Sequence, residues 1–595
     1  MTTYTSRETY EFISKETNDP IVEWKTCKVS GQPFPIYQSD LEFYDKISPT
    51  FNGKKYQIPL PTLCPEERQR RKLVRRNEGK LYRRKCDMTG EGIISIYSPD
   101  KPYKVYKQDI WWSDKRDSLE YGQVFDEAKS FTEQFDTLLK AVPHNTLYST
   151  NPENAEYTNF ALNDKNCYLV FGGGNNENCC YCDVMSDSSH IVDGYSVFSS
   201  SYCYQVVYVE KCYNCQYLLN CNNCSHSMFL EECEGCDNCV MCFGLVNKKN
   251  HFLNQPVSEE MIKEVKKMLI DQPFENTTFY QQFEALKKQS TYRTHHNFGN
   301  EQVGGEMIVH SKNCYNSYAI HNCVDCRNIS FMHNAEGSRD CDYASPLAAN
   351  FSYNLCSATG TCNSMTVFLC FRNQSLYYSS LCFDCSDCFG CVGLRNKQYC
   401  IFNKQYPNSI EYEKEVARII ETMISNGERG EFFHPSLTPF GYNETVANEY
   451  LPLEKTDIIS GENSLSQYGY KWSDYSSDPK IPENASLLSP AEMSHDDWKV
   501  LVDDDRVVNK VIICKESGRP FAIQKMELAF YRKLGLQLPK QHPDVRHEAR
   551  MKQRSGRVLH LRTCDKCGKE MVSIYPAEEV KTVYCEECYR QEVYG

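Results

Sequence analysis

CYNCQYLLNCNNC, residues 212–224, decides the fold. Its cysteines pair three apart, Cys212 with Cys215 and Cys221 with Cys224, around the β-favouring patch Tyr217-Leu218-Leu219. Similar patches recur at Met228-Phe229-Leu230 and Val367-Phe368-Leu369, each bounded by Asn, Ser, Asp or Gly. Short apolar runs between turn residues read as strands. Strands this short, repeated this often, are the pattern of strands stacked in a solenoid. There each coil sets the same inward position above the last, and small apolar residues and Asn form ladders. The spacing predicts a parallel β-helix over residues 160–254 and 309–403.

Two blocks follow from a duplication. Lys165-Asn166-Cys167-Tyr168 recurs as Lys312-Asn313-Cys314-Tyr315, and the run Cys233, Cys236, Cys239, Cys242 recurs as Cys382, Cys385, Cys388, Cys391. A helical 3–4 periodicity follows each block, near 258–270 and 408–424, and predicts a capping helix. The two four-cysteine runs admit three readings: a buried ladder, a zinc site, or an iron–sulfur cluster. The ferredoxin run ends in x3-Cys-Pro, whereas here the last spacing is x2 and Phe243 or Val392 follows. Free thiols are among the most buried side chains, so the ladder is the favoured reading.

Composition bounds the rest. The chain has 595 residues, a formal charge of −13 and 33 cysteines. Twenty-five of those lie between Cys167 and Cys400. That density suits a disulfide scaffold, but such scaffolds are short and secreted. The odd total precludes complete pairing. No apolar run reaches transmembrane length, and MTTYTSRETYEF does not resemble a secretory leader. The expectation is a cytoplasmic protein with reduced thiols.

The chain begins and ends with copies of one module. Cys27-Lys-Val-Ser-Gly-Gln-Pro-Phe matches Cys514-Lys-Glu-Ser-Gly-Arg-Pro-Phe, and Ser95-Ile96-Tyr97 matches Ser573-Ile574-Tyr575. The C-terminal copy carries Cys564-x2-Cys567 and Cys585-x2-Cys588 around a hairpin pattern, with a helix expected from Glu586. This spacing is that of a zinc site. Four thiolates close a tetrahedral shell and leave no position for substrate, so one structural zinc per chain is expected, in a treble-clef or zinc-ribbon arrangement. In the N-terminal copy Thr89, Lys107 and Ile110 replace three of the four ligands and only Cys86 remains, so apolar packing around Trp111-Trp112 is expected instead. The turns at Cys27 and Cys514 read as metal-free half-knuckles.

The predicted organisation is mainly β: a degenerate zinc-ribbon-like module with a basic helix (1–150), solenoid block 1 with its helix (151–270), a connector (271–308), solenoid block 2 with its helix (309–425), an extended spacer (426–510) and a zinc-binding treble-clef-like module (511–595).

Residues 66–85, EERQRRKLVRRNEGKLYRRK, hold ten Lys/Arg against three Glu. Arginine pairs with phosphate through two donors. Arg68, Arg70, Arg71, Arg75, Arg76, Arg83 and Arg84 are therefore the candidates for nucleic-acid contact. The alternative is a helix clamped onto the chain's own acidic solenoid, the usual fate of a charge run. No Walker loop, dinucleotide fingerprint, Gly-x-Ser-x-Gly elbow or His-Glu-x-x-His motif occurs. One acidic constellation, Asp183, Asp187, His190 and Asp193, with Asp340 and Asp342 at related places in block 2, resembles the carboxylates of β-helix sugar chemistry. Asx turns explain the same residues.

CPEERQRRKLVRRNEGKLYRRKCDMTG, SIYSPDKPYKVY with the following IWW, KNCY, FGCVGLRNKQYCIFNKQY and PFGYNETVA together resemble an uncharacterised Cys-rich family of small-genome, candidate-phylum bacteria. The resemblance covers most of the chain and implies no activity. The C-terminal module is also similar, at all four cysteines, to a small Cys-x2-Cys…Tyr-Cys-x2-Cys zinc-binding domain. The function expected is a non-enzymatic, zinc-containing scaffold that presents a rigid solenoid to a macromolecular partner, of which protein is the first candidate. The alternatives are a nucleic-acid- or ribosome-associated factor, and an iron–sulfur redox protein or carbohydrate-active β-helix enzyme.

Overall fold

Through the middle of block 1 each strand pairs in parallel with the one twelve residues on. Tyr168 lies against Cys180, Cys180 against Val192, Val192 against Tyr204, Tyr204 against Gln216, Gln216 against Met228 and Met228 against Val240. The computed structural model describes all residues except 1–3, 272–276, 334, 337–341, 346–348, 351–355, 360–362 and 479. Among them the chain is mainly β. An eleven-stranded sheet runs from Ser149–Thr150 to Gln255–Pro256, and a ten-stranded one from Glu301–Val309 to Lys404–Gln405.

Every third residue of the coils has a left-handed backbone: Asn163, Asn166, Leu169, Gly172, Asn175, Asn178, Tyr181, Val184 and onward. Each coil is thus four three-residue sides, and the residue after each left-handed corner points inward. Cys167, Val170, Gly173 and Asn176 fill one coil, and Cys179, Cys182, Met185 and Ser188 the next. The interior is narrow: a Cβ on Gly173 would fall 1.8 Å from the Met185 carbonyl oxygen. The left-handed region costs an L-residue about 1–2 kcal/mol, least for Asn and Asp, whose side chains bond locally. The solenoid accordingly stacks Asn at its corners. Asn151, Asn163, Asn175 and Asp187 form one exposed hydrogen-bonded ladder, with steps of 3.1, 3.0 and 2.9 Å. Asn154, Asn166, Asn178 and His190 form another.

After block 1 the helix Glu259–Asp271 buries Ile262, Val265 and Leu269 against Met228, Phe229 and Val240 of the last coils. After block 2 the helix Ser409–Ser425 buries Val416, Ile420 and Met423 in a cluster with Phe389, Ile401 and Phe402. A helix and a short strand also precede each block: Phe131–Ala141 with His144–Asn145, and Thr278–Gln289 with Thr291–Arg293. The duplicated unit therefore begins upstream of the first coil.

The end modules dock crosswise. His144–Asn145, ahead of block 1, pairs with Val105–Tyr106 of the N-terminal module. The basic helix of that module, Pro65–Leu73, packs instead on block 2, where Gln69 Nε2 donates to Ser330 Oγ at 2.9 Å and Arg75 covers Phe368. Thr291–Arg293, ahead of block 2, pairs with Thr582–Tyr584 of the C-terminal module, whose helix Pro543–Met551 packs on block 1. The expected extended spacer, 426–510, is not extended. Tyr442, Val446, Ala447, Ile458 and Tyr470 make a core with Leu73 and Val74 of the basic helix, and Trp498 and Val507 join the packing of Cys180 and Tyr181.

Candidate metal centre

The strands His560–Thr563 and Glu570–Ser573 form a hairpin whose turn is Cys564–Gly568. Gly568 takes φ +74°, which closes the turn and lets its N–H donate to the Cys564 carbonyl at 2.9 Å. Asp565 N–H donates to the Val583 carbonyl, so the strand Thr582–Tyr584 lies beside the turn and delivers Cys585 as N-cap of the helix Glu586–Val593. One helical turn later comes Cys588. The four sulfurs all lie within 4.8 Å of one another, with Cys567 Sγ and Cys585 Sγ 3.8 Å apart. A tetrahedral ion with metal–sulfur bonds of about 2.3 Å needs sulfurs about 3.8 Å apart. Against the cost of burial, the N–H groups of Cys567, Cys585 and Lys566 pull the Cys564 thiol down to about 6. The four-cysteine cluster could thus hold a metal ion. Among the described residues no other His, Cys, Asp or Glu group converges in this way.

The same backbone occurs four times. Cys27, Cys86, Cys514 and Cys564 each donate N–H to the carbonyl five residues on, at 2.8–2.9 Å, and each accepts at its own carbonyl from a glycine N–H. The next residue in each case (Lys28, Asp87, Lys515, Asp565) donates to a third segment, at the carbonyls of Thr62, Val105, Lys540 and Val583; in the second and fourth copies that segment is a strand. Two residues beyond, a helix starts, N-capped by Cys64, Lys107, His542 and Cys585. The half-knuckles of the sequence are therefore whole units. Their ligand positions are Cys27, Ser30, Cys64 and Glu67, and Cys514, Ser517, His542 and Val545. The helix-start members Cys64 and His542 escaped sequence reasoning; the signal was a Cys-Pro or His-Pro step before a helix. In the copy with Thr89, Lys107 and Ile110, Trp111 is buried away from the knuckle: its Nε1 donates to the Pro143 carbonyl at 3.0 Å, and Arg116 and Phe383 cover the ring.

The two solenoid cysteine runs are sides of coils. Cys233, Cys236, Cys239 and Cys242 occupy the four inward positions of one coil, and Cys382, Cys385, Cys388 and Cys391 do so in block 2. Each thiol donates to the carbonyl two residues back, at 3.2–3.5 Å. The x2 spacing is the length of a solenoid side, and none of these sulfurs joins a metal-sized cluster. None of the 31 described cysteines forms a disulfide; Cys341 and Cys362 lie outside the described residues.

The basic helix turns its arginines inward. Arg70 pairs with Glu67 and donates to Tyr442 Oη at 2.5 Å and the Leu451 carbonyl at 3.0 Å. Arg71 donates to the Phe433 carbonyl and Tyr468 Oη. Arg75 lies over Phe368 and Phe433, and Arg76 binds Glu78. Arg68 is buried too. Arg84 is spent on Asp87 and the Tyr103 carbonyl, leaving Arg83 exposed. The helix is buried inside the chain, its arginines held by Phe433, Tyr442, Leu451 and Tyr468 of the 426–510 segment, by Glu67 and Glu78 of their own module and by the ring of Phe368.

The acidic constellation is divided among separate structural tasks. Asp193, 0% exposed, meets Arg546 at 3.2 Å and Arg550 at 2.8 Å. Asp183 lies 3.1 Å from His547 Nδ1, and Asp183 and Glu449 hold that imidazole protonated up to about 10 despite the penalty of burial. Asp187 ends the Asn ladder, and His190 stacks on Tyr202. Asp340 lies outside the described residues, and Asp342 is placed in the strand Asp342–Ser345. No helix of the described residues is long and apolar enough to cross a membrane.

No family model and no curated protein matches this chain. A solved "putative acetyltransferase" from Desulfovibrio desulfuricans G20 aligns with 46% of this chain and 74% of its own length, at 9% identity and a TM-score of 0.11. A likeness that weak carries no argument.

Proposed function

We propose that this is a non-enzymatic scaffold containing one structural zinc, which presents its solenoid surface to a protein partner in a reducing, cytoplasmic setting. The observation that carries the proposal is the fate of the chemically capable residues. Asp183, Asp193 and His547 are each locked by an internal ion partner, and the four convergent cysteines leave no open coordination position. Zinc suits an all-sulfur tetrahedral set that has no redox duty. We read the knuckle, hairpin and helix as treble-clef-like, and the resemblance to the uncharacterised Cys-rich family as one of shared architecture. The outside of the coils carries the Asn corners, exposed charged residues such as Glu153, Lys165 and Lys249, and the exposed apolar side chains Leu162, Tyr213 and Val324.

Elemental analysis of protein purified without air, paired with cross-linking from the exposed Lys165, Lys211 and Lys249, tests this. One zinc per chain and cross-links from the coil faces to a recurring protein support it. Iron with absorbance near 400 nm, or nucleic acid that co-purifies at low salt and leaves at high salt, would overturn it.

A further inference from the structure

A cavity of about 180 Å³ opens where three parts of the chain meet: the helix Arg7–Thr17, the first coils of block 2, and the metal-binding module. That is the space of on the order of six waters. Its wall combines apolar and aromatic groups, Phe12, Ile13, Val303, Tyr315 and Met571, with the carboxylates of Glu16, Glu570 and Glu586. Lys569 supplies one opposing charge. Gly304 leaves the floor open: a Cβ there would touch the Tyr315 ring at 3.4 Å. Of the lining groups, His295 Nδ1 and Glu586 Oε2 have no hydrogen-bond partner, while the other oxygen of Glu586 accepts from Arg590 Nε at 2.7 Å. An apolar, aromatic lining with an excess of carboxylates repels anions, and it stabilises a cation whose own surface is apolar. Aromatic rings attract such cations through their quadrupoles.

We propose that this cavity is a binding site for a small organic cation of the quaternary ammonium class. The ligand's methyl groups would pack on Phe12, Tyr315 and Met571, and its charge would face Glu16 and Glu570. Because Cys585 also borders the cavity, occupancy would bridge the N-terminal helix, block 2 and the metal-binding module.

Calorimetric titration of the full, metal-loaded chain tests this with three probes: choline, its neutral carbon isostere 3,3-dimethylbutan-1-ol, and inorganic phosphate. Saturable choline binding is expected, with the isostere at least tenfold weaker and phosphate silent. Gly304→Leu should abolish binding by filling the cavity. Glu570→Gln, an exposed change that leaves the fold intact, should weaken choline several-fold, and a circular dichroism melt verifies folding of both variants. The proposal is overturned if choline does not saturate, if the isostere binds equally, if phosphate competes, or if both folded variants bind like the parent chain.

Discussion

Asp193→Asn isolates the contact by which the C-terminal module holds block 1. The Asp193 carboxylate is completely buried, 3.2 Å from Arg546 Nε and 2.8 Å from Arg550 Nη1. Asparagine keeps the shape and removes the charge, so two buried guanidinium groups lose their shared counter-ion. Glu527 stands 4.0 Å from Arg546, but burial pushes its carboxyl pKa up against the pull of Arg546, so it replaces Asp193 poorly. Arg550 keeps the Tyr181 carbonyl at 3.2 Å and no carboxylate. Breaking a buried ion pair by neutralising one partner costs about 3–5 kcal/mol. Because one of the two cations retains a neighbouring carboxylate, the lower end applies: about 3 kcal/mol, a hundredfold or more in the opening equilibrium. A chain with several cores has no single unfolding free energy, so the assay is native-state hydrogen exchange at the helix Pro543–Met551. Asp187→Asn is the control, since Asp187 is exposed at the end of a ladder. The quadruple change Asp193→Leu, Arg546→Met, Arg550→Met and Glu527→Gln should recover most of the loss, because it removes the buried carboxylates and guanidinium groups together. If Asp193→Asn opens that helix no more than Asp187→Asn does, the clamp reasoning is wrong.

Further tests address the metal, the corners and the block junction. Chelation under reducing conditions, or Cys567→Ser, should release the ion and raise hydrogen exchange across Glu586–Val593 and the Thr291–Arg293 to Thr582–Tyr584 pairing; unchanged protection there would show that the module folds without metal. Val184 is β-branched and sits at φ +56°, so Val184→Asn should stabilise block 1 by about 1 kcal/mol in thermal unfolding, and a loss of stability would contradict the corner assignment. His296 bridges Glu232 at 2.7 Å and Glu306 at 2.6 Å, and against burial the two carboxylates raise its pKa to about 10. A raised folded pKa gives stability that is complete below the unfolded value near 6.5 and is lost as pH rises toward 10, at about 1.4 kcal/mol for each pH step of one between those values; His296→Gln should flatten the melting temperature over that range. Total metal of three or more ions per chain would contradict the buried ladders of Cys233 and Cys382.

The solenoid was legible because its constraint is local and repeated. An inward side chain every third residue demands something small, and cysteine, valine and serine at that spacing show in the primary structure. The twelve-residue coil was harder to see. Asn163, Asn166, Asn175 and Asn178 mark corners, but Leu169, Tyr181 and Val184 hold the same left-handed backbone, with the parallel ladder of backbone bonds rather than the side chain enforcing it. The complete metal-binding knuckle was equally plain, since four cysteines sit within one short unit. Of the three copies without four cysteines, the one with Thr89, Lys107 and Ile110 was legible from the module repeat; those at Cys27 and Cys514 showed only their first turns, because the backbone hydrogen bonds that join them to the segments before Cys64 and His542 leave no mark on residue type.

The charge-bearing residues show where sequence stops. Ten cations in residues 66–85 read as an internal clamp first and a phosphate surface second, but the sequence could not name their partners, because exposure is a property of partners. Those partners are distant: Tyr442 and Tyr468 reach Arg70 and Arg71 across 372 and 397 residues. The sequence by itself determined the repeated coils, the duplicated modules and the single convergent four-cysteine set, all of them short-range patterns. Only the tertiary structure decided that each end module grips the distant solenoid block, that the arginines and Asp193 are buried counter-ions, and that a cavity lies at the junction. Each of those depends on which surfaces meet, and burial is what turns an ordinary charge into a structural one.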